Sequence, residues 1–171
     1  MNEFSKYVKV NILPSLKEDI TGKRVSSLLD DVIRRLPDEE QFKTNGAIWI
    51  YKRKEIIEFW NKNLNPGYSA PFENPRIDGH CLYNQIKNEY NIFIVPDGEM
   101  DFLERTDEYI IGVIAWEFGR LSYYWKITKK IQNEIEDQDK AAADEARRLG
   151  FGNELDELLI CSERYDLLNK H

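Results

Sequence analysis

An α+β domain, a small β-sheet packed on a helical half, is predicted by three observations. The first 95 residues hold two short runs of β-forming residues, 46–51 and 91–95. Residues 107–168 carry apolar side chains at helical spacing. Helical segments also separate the two strands, giving the order helix, strand, helix, loop, strand, helix, helix, helix.

Taking the elements in order, Val25, Leu28, Leu29, Val32, Ile33 and Leu36 put one apolar face on a helix over Arg24–Leu36, and Pro37 stops it. Gly46–Tyr51 reads as a strand. Lys52–Trp60 follows as a short helix facing inward through Ile56, Ile57 and Trp60. Residues 61–79 contain Pro66, Pro71 and Pro75 with Gly67 and Gly79, so a long loop of the kind that often carries function is expected. Asn91–Val95 is a second strand, closed by the turn residues Pro96, Asp97 and Gly98. Beyond it, Asp107–Trp125 is an apolar helix in which Ile110, Val113, Ile114, Glu117, Leu121 and Tyr124 share a face. A carboxylate therefore interrupts an apolar stripe. A more polar helix is expected over Ile127–Leu149, ended by Gly150 and Gly152, and a last one over Glu154–Leu168.

The 171 residues are expected to form one domain spanning 1–171. Hydrophobic residues at 42% and charged residues at 32% exclude disordered and fibrous classes. A net charge of −7 lacks the basic footprint of a nucleic-acid binder, so no nucleic acid is expected. The charged first twenty residues do not read as a secretory signal, and the longest apolar run, 110–116, is far short of a membrane span. A cytoplasmic location is the expectation. Cys81 and Cys161, eighty residues apart, read as reduced thiols without metal or redox spacing.

The segment 110–121, IIGVIAWEFGRL, resembles the active-site helix of small zincin metallopeptidases, which reads roughly xxxxIAHEFGHL. In those helices two histidines one turn apart hold zinc, and the glutamate between them acts as general base. Both histidine positions differ here, giving Trp116-Glu117-Phe118-Gly119-Arg120. Residues 141–151, AAADEARRLGF, resemble the second helix of the same minimal zincins, EADxxAxxxGF, whose glutamate supplies the third ligand. Alanine occupies the ligand position in either register, Ala141 or Ala142, and in the second Asp144 matches the family's aspartate. The resemblance covers about residues 90–155. It implies a zincin-like architecture with the strand Asn91–Val95 at the sheet edge above the cleft, and Trp116, Glu117, Arg120 and Asp144 as residues of the former cleft.

Zinc chemistry requires lone-pair donors, and neither an indole nor a guanidinium offers one at neutral pH. No metal and no cofactor is expected. The histidines are His80 and His171. His80, beside Cys81, lacks ligand spacing and reads as a structural histidine. The resemblance implies that Arg120, one turn beyond Glu117, takes over the positive charge of zinc and that Trp116 fills the vacated space. These residues imply a catalytically inactive module for a protein or small-molecule partner, acting through the former cleft or the 61–79 loop. The alternative is a metal-independent enzyme using Glu117 as general acid or base, with Arg120 as anion clamp. An active hydrolase with an unrecognised metal site is a further alternative.

Tyr123, Tyr124 and Trp125 beside Lys126, Lys129 and Lys130 could clamp single-stranded nucleic acid, but read better as the two faces of one helix. Glu134, Glu136, Asp137 and Asp139 lack calcium-loop spacing and read as a solvated helix face.

Overall fold

The computed structural model describes residues 8–38, 45–63, 70–84, 86–98, 101–127 and 137–168. The chain runs β1 (Val8–Ile12), α1 (Pro14–Lys17), α2 (Ile20–Arg35), β2 (Asn45–Ile50), α3 (Arg53–Asn63), β3 (Gly79–Asn84), β4 (Glu89–Ile94), α4 (Asp107–Ile127), α5 (Gln138–Arg148) and α6 (Gly152–Cys161). The expected α+β class is observed. The sheet has the order β1-β2-β4-β3, with β1, β2 and β4 parallel and β3 antiparallel to β4 at the edge.

Alternation along the strands sorts two cores. Ile48, Ile50, Tyr90, Ile92, Ile94 and Cys81 face the main core with α2, α4, α5 and α6. Phe93 and, from the second face, Trp49 and Leu82 pack with Ile56 and Trp60 of α3 and with Ala70 and Phe72. Helices therefore cover both sheet faces, the helical half on one and α3 on the other. Parallel neighbours need crossover connections, and α2 and α3 supply them.

Several boundaries differ from the sequence reading. Helix α2 starts at Ile20, because Asp19 caps it by accepting from Thr21 N at 2.9 Å. Ile20 itself is exposed and lies off the apolar stripe. Strands β1 and β3 were not expected. Edge strand β1 interleaves exposed Lys9 with half-buried Asn11 and gains its order by pairing with β2. Strand β3 forms a hairpin with β4, where Asn84 Oδ1 accepts from Ile86 N and Lys87 N and Asn88 adopts φ 51°. Consequently Asn91–Val95 is not the edge strand of the resemblance: β4 lies inside the sheet, and β3 is the edge.

The expected helix 127–149 is not continuous. Asp137, at φ −59° and ψ 106°, is not helical and caps α5, accepting from Asp139 N and Lys140 N. Lys129, Lys130, Glu134 and Glu136 lie outside the described residues. The expected last helix ends at Cys161 and is followed by a 3-10 turn over Tyr165–Leu167. Among the described residues no helix is long and apolar enough to cross a membrane.

Candidate functional site

Helix α4 is the centre of the helical half, and two glycines decide how closely it is wrapped. A Cβ at Gly112 would stand 2.4 Å from Glu154 O of α6, and one at Gly119 would stand 2.3 Å from Ala142 O of α5. Their absence lets backbone meet backbone. Ala142, Ala143 and Ala146 are fully buried on the facing side of α5. Of the alanines that the resemblance aligns with a metal-ligand segment, Ala142 and Ala143 thus serve close packing, while Ala141 is half-buried.

The remaining side of α4 lines a cleft of about 650 Å³. Tyr109, Val113, Trp116, Glu117 and Arg120 form its floor at helical spacing. Asp78 with Gly79 and His80 at the start of β3 form one wall, and Cys161 at the end of α6, Ser162 to Arg164 after it and Asp139 of α5 form the other.

Glu117 is buried, and its Oε2 accepts from Arg120 Nε at 3.3 Å. Burial holds its carboxyl above the usual range, against the opposing charge and hydrogen bond of Arg120. Gly79 makes the room: a Cβ there would lie 2.9 Å from Glu117 Cγ and 3.2 Å from its Oε1. Arg120 also donates from Nη2 to Asp139 Oδ1 at 3.1 Å, and Asp139 Oδ2 accepts from Arg164 Nη1 at 3.3 Å. Trp116 lies beside both guanidinium groups, each 6.0 Å from its ring centre. Its indole N–H is buried and without a hydrogen-bond partner among the described residues.

At the far end of the cleft, buried Asp78 accepts from Tyr109 Oη at 3.0 Å and from Arg53 Nη2 at 3.3 Å. Burial pushes its carboxyl up to about 6, although Tyr109, Arg53 and Arg105 all favour the charged form. Arg53 also donates to the carbonyls of Phe72, Asn74, Pro75 and Ile77, so one guanidinium shapes the segment that carries Asp78. The imidazole of His80 packs edge-on against Trp60 and Phe72, at 5.8 and 6.2 Å between ring centres. Burial, with Arg120 nearby, lowers its pKa to about 4, so it is neutral at pH 7. Cys81 points into the main core, and burial raises its thiol. Both cysteines are free.

Of the residues that the resemblance assigns to a former cleft, Trp116, Glu117 and Arg120 line the observed cleft and Asp144 does not. Asp144 stands on the exposed side of α5, paired with Lys140 at 2.8 Å and Arg147 at 3.7 Å. Asp139, expected on a solvated face, is the α5 carboxylate that reaches the cleft. Asp78, Tyr109 and Arg164 were not singled out from the sequence. Tyr109 had a usable signal, being two helical turns before Trp116 on the same stripe, whereas Arg164 had none.

The donor set does not fit zinc. The two motif positions that face the cleft carry an indole and a guanidinium, and no group of three or more His, Cys, Asp or Glu side chains converges among the described residues. Chemically the arrangement offers buried carboxyls, guanidinium donors and an aromatic wall. Compared with known proteins, the chain matches no family model, no curated protein and no solved structure.

Proposed function

We propose that the chain is a zincin-like domain whose former catalytic cleft is a metal-free ligand-binding site, making the protein a catalytically inactive binding or regulatory module. One observation carries this reading: Arg120, at the position of the motif's second histidine, engages the Glu117 carboxylate at 3.3 Å. A general base must be free to take a proton from water, and an ion-paired, buried carboxylate is not. The cleft volume of about 650 Å³ lies within the ~300–1,000 Å³ range of small-molecule sites, and Trp116, Tyr109 and Val113 give it the apolar lining such sites use.

The test is calorimetric titration of metal-free protein with zinc, alongside a fragment screen read by tryptophan emission. On this reading zinc gives no stoichiometric binding, while fragments change emission in the wild type and not in Trp116→Phe. Stoichiometric zinc uptake with zinc-dependent peptide cleavage contradicts it.

The metal-independent enzyme remains the second reading, because Asp78 and Glu117 line one cleft and both carboxyls are held above their usual range. It requires turnover lost in Glu117→Gln with the fold intact.

A further inference from the structure

One end of the cleft holds an arrangement that extends beyond the Glu117 ion pair. Arg120 comes from α4 and Arg164 from the turn after α6, and each already has a carboxylate of its own. Glu117 meets Arg120 Nε, and Asp166 meets Arg164 through Nε to Oδ1 at 3.2 Å and Nη2 to Oδ2 at 3.4 Å. A further carboxylate lies between the two arginines. Asp139 gives one oxygen to each, Oδ1 to Arg120 Nη2 at 3.1 Å and Oδ2 to Arg164 Nη1 at 3.3 Å. Two guanidinium groups gripping the two oxygens of one carboxylate is a recognition geometry, specific in direction as well as charge.

Helix α5 does not require Asp139 in that place, because Asp137 is its cap. The Asp139 side chain is 39% exposed, so the group between the arginines is accessible from solvent. Beside them stands the Trp116 ring, whose buried N–H lacks an acceptor among the described residues.

We propose that Arg120 and Arg164 form the recognition site for the carboxylate of a small ligand, with Asp139 as the resident carboxylate which that ligand displaces. The inference rests on the reading of the cleft as a binding site and names its ligand class. Trp116 supplies the flat wall against which the body of the ligand lies. A tethered competitor acts at an effective concentration of about millimolar order, so free carboxylates bind the wild type weakly and removal of Asp139 unmasks the site.

Succinate and inorganic phosphate, titrated by calorimetry and tryptophan emission, test this on the full chain. Asp139→Ala and the volume-conserving Asp139→Asn should bind succinate about tenfold or more tightly than the wild type. Arg164→Ala added to either should abolish the gain, and Trp116→Phe should remove the emission change. Equal succinate affinity in the wild type and both Asp139 variants overturns the proposal, as does tight binding that survives Arg164→Ala. Preference for phosphate over succinate overturns the carboxylate assignment. If the Asp139 variants ignore succinate while neutral fragments still change Trp116 emission, this proposal fails and the binding-site reading stands. If nothing changes Trp116 emission, both fail.

Discussion

Arg120 stands one helical turn beyond Glu117 and meets its carboxylate at 3.3 Å, with both side chains largely withdrawn from water at 15% and 6% exposure. An exposed (i, i+3) pair is worth roughly 0.5 kcal/mol, but breaking a buried one leaves a charge without compensation, which costs ~3–5 kcal/mol. The carboxyl of Glu117 is already raised, so it relieves part of that cost by taking a proton. Arg120→Ala should therefore lose about 2–4 kcal/mol at pH 8 and less at pH 5, with Glu117→Gln in the same chain recovering much of the loss. Urea unfolding at the two pH values measures it, and a loss below about 0.5 kcal/mol at pH 8 assigns the pair to the surface class.

Asp78 and His80, two residues apart, should act on stability in opposite directions. The Asp78 carboxyl is raised from 3.8 to about 6, so its contribution is fully present below pH 3.8 and is lost as pH rises through 6. His80 is lowered from 6.5 to about 4, so its contribution is fully present above pH 6.5 and is lost as pH falls through 4. Each amounts to roughly 3 kcal/mol at about 1.4 kcal/mol per pKa unit, and the two offset one another between pH 4 and 6.5. Denaturation across pH 4–8 should show Asp78→Asn gaining relative to the wild type as pH rises and His80→Gln gaining as pH falls. Parallel profiles for all three proteins count against the buried placement of both groups.

Gly119 is held by a backbone contact rather than by any need for unusual φ. Alanine there raises intrinsic helix propensity by up to ~1 kcal/mol, yet its Cβ meets Ala142 O at 2.3 Å. Close packing should win, so Gly119→Ala is expected to destabilise by roughly 1–3 kcal/mol, and Gly112→Ala likewise against Glu154 O. Thermal unfolding decides the sign, and a stabilised Gly119→Ala contradicts the α4–α5 approach.

Arg53 serves four carbonyls and Asp78 at once. Lysine has a charge but no planar fork, so Arg53→Lys should fail to restore what Arg53→Ala loses. Hydrogen exchange should speed up within residues 70–78 in both variants. Unchanged exchange there shows that the segment is held by Phe72 and Ala70 alone.

The helical half was legible because burial imposed its period on the sequence. Helix α4 is buried along most of its length, and Glu117 stood out as a charge inside that stripe. The resemblance marked Trp116, Glu117 and Arg120 together, and the cleft holds all three. The sheet edges were not legible. β1 and β3 each have one strand neighbour and mixed side chains, so pairing rather than pattern defines them. Alignment to a motif points to Asp144 because it reads spacing along α5, whereas the cap at Asp137 sets where that helix begins and brings Asp139 to α4. Asp78 and Arg164 joined the site through tertiary contacts between distant segments, and no local pattern carries that information.

Zinc titration of Trp116→His/Arg120→His tests the central claim most directly. Both positions face the cleft one turn apart with Glu117 between them, and Asp139 lies within reach of position 120 as a further donor. The account predicts that the double variant binds one zinc ion with histidine ligation while the wild type binds none. Stoichiometric zinc in the wild type, or a double variant that folds and still takes no zinc, contradicts the reading of this cleft as a zincin site that has exchanged its metal for Arg120.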